Sequence, residues 1–199
     1  LFHQIFIDRL INIEKYQDNI MHTFLDVDYD KKSIADYFYQ IMGITQNPRK
    51  SWPYTHVSTS VGGHPEISSI MNHLRARYSE DIFKFLNGGG FLCSCHGKSR
   101  ARDLNMIDKS AILMFPVSNE IEATFYDVEI IRDEQGNVIS PAANENLEEK
   151  IKYKILVKDK PVIIDGTKLH SISATSVEPS ILYIIYSPGD VNYSMLVRE

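Results

Sequence analysis

The residues of this 199-residue chain with the types to hold a metal or move a proton are seven histidines and two cysteines. The histidines are His3, His22, His56, His64, His73, His96 and His170, and three of them (His3, His22, His73) fall in segments of helical spacing, where surface or core roles are the default. The run Cys93-Ser94-Cys95-His96 offers soft ligands of the kind zinc prefers, but a structural zinc needs four, and no second ligand pair follows. The simpler reading makes these cysteines small buried hydrophobes on a strand. Neither HExxH, paired CxxC nor GxSxG occurs. Gly97-Lys98-Ser99 does not complete a phosphate loop, because the first glycine would have to stand at Leu92.

His96 and His170 make a more interesting pair. Each follows an apolar strand-like run, and in a jelly roll strands distant in sequence come together. Two histidines and one carboxylate on such a sheet leave open positions on an iron ion for a cosubstrate and dioxygen. A second constellation, Trp52-Pro53-Tyr54 with His56 and His64, would make a substrate-facing aromatic loop. Its plainer alternative is a packed loop covering the sheet, since aromatics most often fill cores.

The elements that must position these residues follow from apolar spacing. Leu1–Leu25 is near helical spacing, and Asp30–Ile44 repeats it with Ser33 and Asp36 resembling a capping pair. The stretch 46–65 reads as loop, short strand and loop. Glu66–Leu86 carries the clearest helical stripe and meets a stop at Asn87-Gly-Gly-Gly90. After Gly90 the pattern becomes β: Phe91–Cys95, Ala111–Val117, Ile121–Ile131, Ile151–Val157, Val162–Asp165 and Ile181–Tyr186, with Tyr193–Val197 as a last strand. Asp133-Glu-Gln-Gly-Asn137 is a hairpin turn signal and 141–150 a polar loop. The two strands around His170 are expected to form a closing hairpin.

Helices first and strands afterwards imply an α+β domain, its N-terminal helices packed on a jelly-roll core. One domain over 1–199 is expected, with 1–90 a mostly helical support region and 91–199 the β core. Apolar content of 43% and charged content of 24% are ordinary for a globular protein, and a net charge of −5 argues against nucleic-acid binding. No run approaches the roughly 18 apolar residues of a membrane span. Cysteines this few, and too close along one strand for a mutual disulfide, point to a reduced setting, so a cytoplasmic location is expected. Leu1 in place of an initiating Met leaves the natural start open.

The segment Asp108–Asn119 (DKSAILMFPVSN) followed by Ala123-Thr-Phe-Tyr-Asp127 resembles the strand after the metal motif in iron(II)/2-oxoglutarate-dependent oxygenases of the prolyl-hydroxylase-like or phage and marine bacterial type. Val162–Asp165, Leu169-His170-Ser171 and Ile181–Tyr186 are similar to that family's second-histidine strand and the strand after it. The resemblance covers roughly Phe91–Tyr186. It implies a double-stranded β-helix, iron(II) held by His96, Asp103 and His170, and 2-oxoglutarate whose far carboxylate meets Lys109. It also implies hydroxylation of a C–H bond in a peptide or small-molecule substrate. The chain departs from the family pattern in two places. Lys98 stands where an acidic residue is usual, and Glu178-Pro179-Ser180 stands where an arginine usually grips the cosubstrate. The alternative is therefore a jelly-roll binding or structural module that has lost its metal. A cupin-like metal- or sugar-binding barrel is a third reading, but a His-x-His motif with its glutamate does not occur.

Overall fold

A computed structural model describes residues 20–45, 54–59, 65–86, 89–94, 111–142, 145–176, 178 and 180–198, with the backbone alone for 41–45, 54–59 and 94. In chain order the elements are β1 (His22–Phe24), α1 (Lys31–Thr45), β2 (Tyr54–Thr59), α2 (Pro65–Arg77), α3 (Glu80–Phe83), β3 (Gly89–Ser94) and β4 (Ala111–Ser118). There follow β5 (Ile121–Tyr126), β6 (Ile131–Arg132), β7 (Val138–Ser140), β8 (Ile151–Val157), β9 (Val162–Asp165), β10 (His170–Ala174), β11 (Ser180–Ser187) and α4 (Tyr193–Arg198).

The strands form an antiparallel six-stranded sheet in the order β1-β9-β4-β11-β3-β2 and a three-stranded sheet in the order β10-β5-β8. Strands β4 and β11 lie inside the larger sheet and are covered on both faces, which is why they read as unbroken apolar runs. Ile112, Met114, Leu182 and Ile184 face the smaller sheet across one core. Leu113, Phe115, Tyr183 and Ile185 face Ile34, Phe38, Ile70 and Leu74 of the helices across another. Each such buried side chain contributes about 1.5–3 kcal/mol of transfer free energy. Strand β8 is covered on one face only, so Tyr153, Ile155 and Val157 alternate with Lys154 and Leu156 turned toward water.

The barrel between the sheets has two ends. At the turn end, β4 passes to β5 through Asn119 and Glu120, with Asn119 at φ 56, a left-handed conformation that asparagine tolerates better than most residues. Ser180 Oγ donates to the Glu120 carbonyl at 2.9 Å, and Thr175 Oγ1 donates to the Glu120 carboxylate at 2.8 Å. At the other end lie Ala111, Asp165 and Ser187, in register with one another, and His170 opposite Phe125.

Several sequence expectations change. The helical spacing of 1–25 gives way at His22–Phe24 to a strand, which takes the edge of β9 and extends its pairing through Leu25 N–H to Pro161 and Asp165 N–H to Met21. Sheet-edge hydrogen bonds override a propensity this short. Residues 1–19 lie outside the described residues. The cap of α1 is Asp30, whose Oδ1 accepts from Ser33 N–H at 3.0 Å, while Asp36 pairs with Lys32 at 2.8 Å instead of capping. The stripe of 66–86 divides into α2 and α3 at Tyr78-Ser79, where the Tyr78 hydroxyl donates to the Leu196 carbonyl. Tyr193–Arg198 is a helix rather than a last strand, because Asn192 caps it by accepting from Met195 N–H at 3.1 Å. Finally, β9 and β11 do not form a hairpin: β4 separates them, and β10 crosses to the other sheet between them. The hairpin turn at 133–137 does form, closed by Asp133 Oδ1 accepting from Gln135 and Asn137 N–H around Gly136 at φ 85.

Candidate functional site

His170 opens β10 at the end of the barrel remote from the Asn119 turn. It shares a strand face with Ile172, which packs on the inter-sheet core, while Ser171 turns outward to the Tyr126 hydroxyl at 2.9 Å. Its ring contacts Phe125, with centroids 6.4 Å apart. Nδ1 lies 2.8 Å from the Lys168 carbonyl oxygen. A carbonyl only accepts, so Nδ1 donates, and in the neutral ring the lone pair is on Nε2. That second-neighbour arrangement is how metal-binding histidines are commonly oriented.

Of the other residues expected to bind, His96, Asp103 and Lys109 lie outside the described residues, as do Trp52, His64, Cys95 and Lys98. His56 is on β2, with only its backbone described. Strand β3 ends at Ser94, paired with Ser180 at the turn end, and β4 begins at Ala111, at the His170 end. Cys93 is fully buried in the core under the helices, as a small hydrophobe would be. Where an arginine was missing, Ser180 is buried and committed to the Glu120 carbonyl. Among the described residues no three His, Cys, Asp or Glu side chains stand together as a metal-binding group. The interior along β4, β5 and β11 is lined by Met114, Ala123, Leu182 and Ile184, all buried and apolar.

Two residues at this end were not anticipated. His22 pairs with Ile164 across β1 and β9, and its ring stacks on Phe125 at 6.0 Å, 27° from parallel. Tyr153, opposite Phe125 on β8, stacks on it at 4.8 Å and sends its hydroxyl across to β1. There it accepts from Met21 N–H at 2.9 Å and meets His22 Nδ1 at 3.1 Å. Burial holds the His22 imidazole below its ordinary value of 6.5, and burial raises the Tyr153 phenol. No local pattern in the sequence marks His22. Its role depends on β1 being a strand, and the spacing around it reads as helix.

No family model matches the chain, and no curated protein matches it by sequence. Solved structures do. SnoN, a non-heme α-ketoglutarate-dependent epimerase from nogalamycin biosynthesis, superposes with a TM-score of 0.52 at 10% identity, over 84% of this chain and 77% of that one. Escherichia coli ycfD gives 0.49 at 12% identity, over 73% of this chain and 36% of that one. An oxalate oxidase in complex with the substrate analogue glycolate gives 0.41 at 8% identity, over 73% of this chain. The chain spans 57% of that oxidase, and 60% of the Drosophila melanogaster CENP-C chain that is also similar. At such identities the likeness shows the fold alone. The two antiparallel sheets facing across one core make this a jelly roll, and no helix among the described residues is long and apolar enough to cross a membrane.

Proposed function

We propose that the chain is an iron(II)/2-oxoglutarate-dependent oxygenase-like protein that hydroxylates a C–H bond of a peptide or small molecule. His170, His96 and Asp103 would hold the metal, and Lys109 would neutralise the far carboxylate of the cosubstrate. The observation that supports this most is His170 itself. It stands on the inward face at the start of a jelly-roll strand, with Nδ1–H tied to a carbonyl and the lone pair on Nε2. That donor suits iron(II). The cosubstrate has less support, because the described interior is apolar and a buried dicarboxylate needs a cation beside it. Lys109, two residues before Ala111 at the His170 end, is the residue proposed for that role. Bound iron would supply the redox chemistry by which dioxygen, with 2-oxoglutarate as co-reductant, acts on an unactivated C–H bond.

A second reading has an observation of its own. The apolar interior formed by the described residues, with Ser180 engaged at the turn end, suits a binding or structural module that keeps the fold without the metal. Anaerobic titration with iron(II) and 2-oxoglutarate separates the two. The oxygenase reading expects a weak visible charge-transfer band, its loss in His170→Ala, and a rise in melting temperature as ligand binds the folded state. No band and an unchanged melting temperature would leave the binding module.

A further inference from the structure

We propose that the outer edge of β8 is a docking site for an extended acidic peptide, which adds to the smaller sheet as a further strand. β8 stands at the end of the order β10-β5-β8, so among the described residues only β5 pairs with it as a strand. The backbone N–H and C=O groups along its other side are a template for one more strand.

The side chains along that edge select the occupant. Residues 150–158 hold Lys150, Lys152, Lys154 and Lys158 and no acidic residue, in a chain of net charge −5. Lys154 lies opposite Thr124 and Leu156 opposite Glu122, on the face of the sheet turned away from the core. Leu156 is 52% exposed there, two residues from each of Lys154 and Lys158. These lysines approach Glu122 at 2.8 Å and Glu120 at 3.9 Å, but both are exposed, and ion pairs in water hold weakly enough to be exchanged. A strand laid beside β8 thus meets a cation, an apolar side chain and a cation at alternate positions. Its complement is acidic–x–apolar–x–acidic. The x positions turn to the inner face, as Tyr153 does on β8, toward β1, where Phe24 is 43% exposed. Apolar residues suit them.

Two other occupants fit this edge less well. With matching faces, antiparallel self-pairing of β8 centred on Tyr153, Lys154 or Ile155 sets lysine against lysine each time. A nucleic acid would use the cations but neither Leu156 nor the backbone of the edge. The proposal requires no metal.

The test uses the full chain without iron and a capped peptide, Gly-Glu-Val-Leu-Val-Glu-Gly. The comparison probes are its lysine-for-glutamate counterpart, the same peptide N-methylated along its backbone, and oligothymidylate. In NMR titrations the acidic peptide should shift the backbone amides of residues 153–157, and the other three probes should not. Lys154→Glu should weaken the acidic peptide about five-fold, the weight of one exposed ion pair, and should strengthen its lysine counterpart. Lys154→Gln serves in the same way if the charge reversal does not fold. Equal binding of the two charge forms, undiminished binding of the N-methylated peptide, or shifts from oligothymidylate alone would overturn the proposal. So would a dimer that Leu156→Lys disperses, or no shift with any probe, which would mean that the lysines only keep the edge from pairing. None of these outcomes depends on that of the iron titration.

Discussion

The two ends of the barrel carry polar groups on very different terms. At the turn end, Ser180, Thr175 and Glu120 satisfy one another, and the hydroxyl and carbonyl that meet there link β11 to the β4–β5 turn. At the other end, Tyr153, His22 and His170 are half-buried; the Lys168 carbonyl holds the His170 proton on Nδ1, and Tyr153 ties His22 to Met21. Polar groups at the first end close a fold. Those at the second hold two imidazoles against one Phe125 ring.

This contrast can be broken most severely on β5, which runs between the two ends. Ile121→Ala and Phe125→Ala each empty a buried position, at about 2–5 and 3–5 kcal/mol respectively by urea unfolding. Only the second should also disturb the histidine ring signals, because only Phe125 touches His22 and His170. A smaller effect separates two hydroxyls. Ser180→Ala removes the nearer of two hydroxyl donors to the Glu120 carbonyl and should cost about 1 kcal/mol without altering either imidazole. Tyr153→Phe should cost about 1 kcal/mol and shift the His22 ring signals. Equal effects of the two on the imidazoles would erase the distinction between the ends.

The smallest effect is a pH dependence. Burial lowers the proton affinity of folded His22 below its ordinary 6.5, so the unfolded chain binds more protons as pH falls past that value. The contribution of neutral His22 is complete above pH 6.5 and is lost on acidification through the folded value. Melting temperatures recorded from pH 7.5 down to pH 5 should therefore fall less steeply in His22→Phe than in the wild type.

Much of the β core was legible because its strands obey local rules. The runs of β4 and β11 announce strands covered on both faces, Lys152 and Lys154 mark β8 as covered on one, and Asp133 to Asn137 spells its own turn. His170 was singled out as well, but not the strand β10 that carries it nor its place in the second sheet. β1 was not legible. Three residues of ambiguous spacing became a strand only because β9 offered an edge. The helix at Tyr193 was missed for a smaller reason: its signal was one capping asparagine.

The sequence by itself determined the layers, since apolar periodicity records how many faces of an element are covered, and it singled out His170. Tertiary structure alone brought Tyr153 to Met21 and His22 across 132 and 131 residues of chain. Such a bond depends on which atoms lie about 3 Å apart, and chain spacing carries no record of that until the sheets have closed.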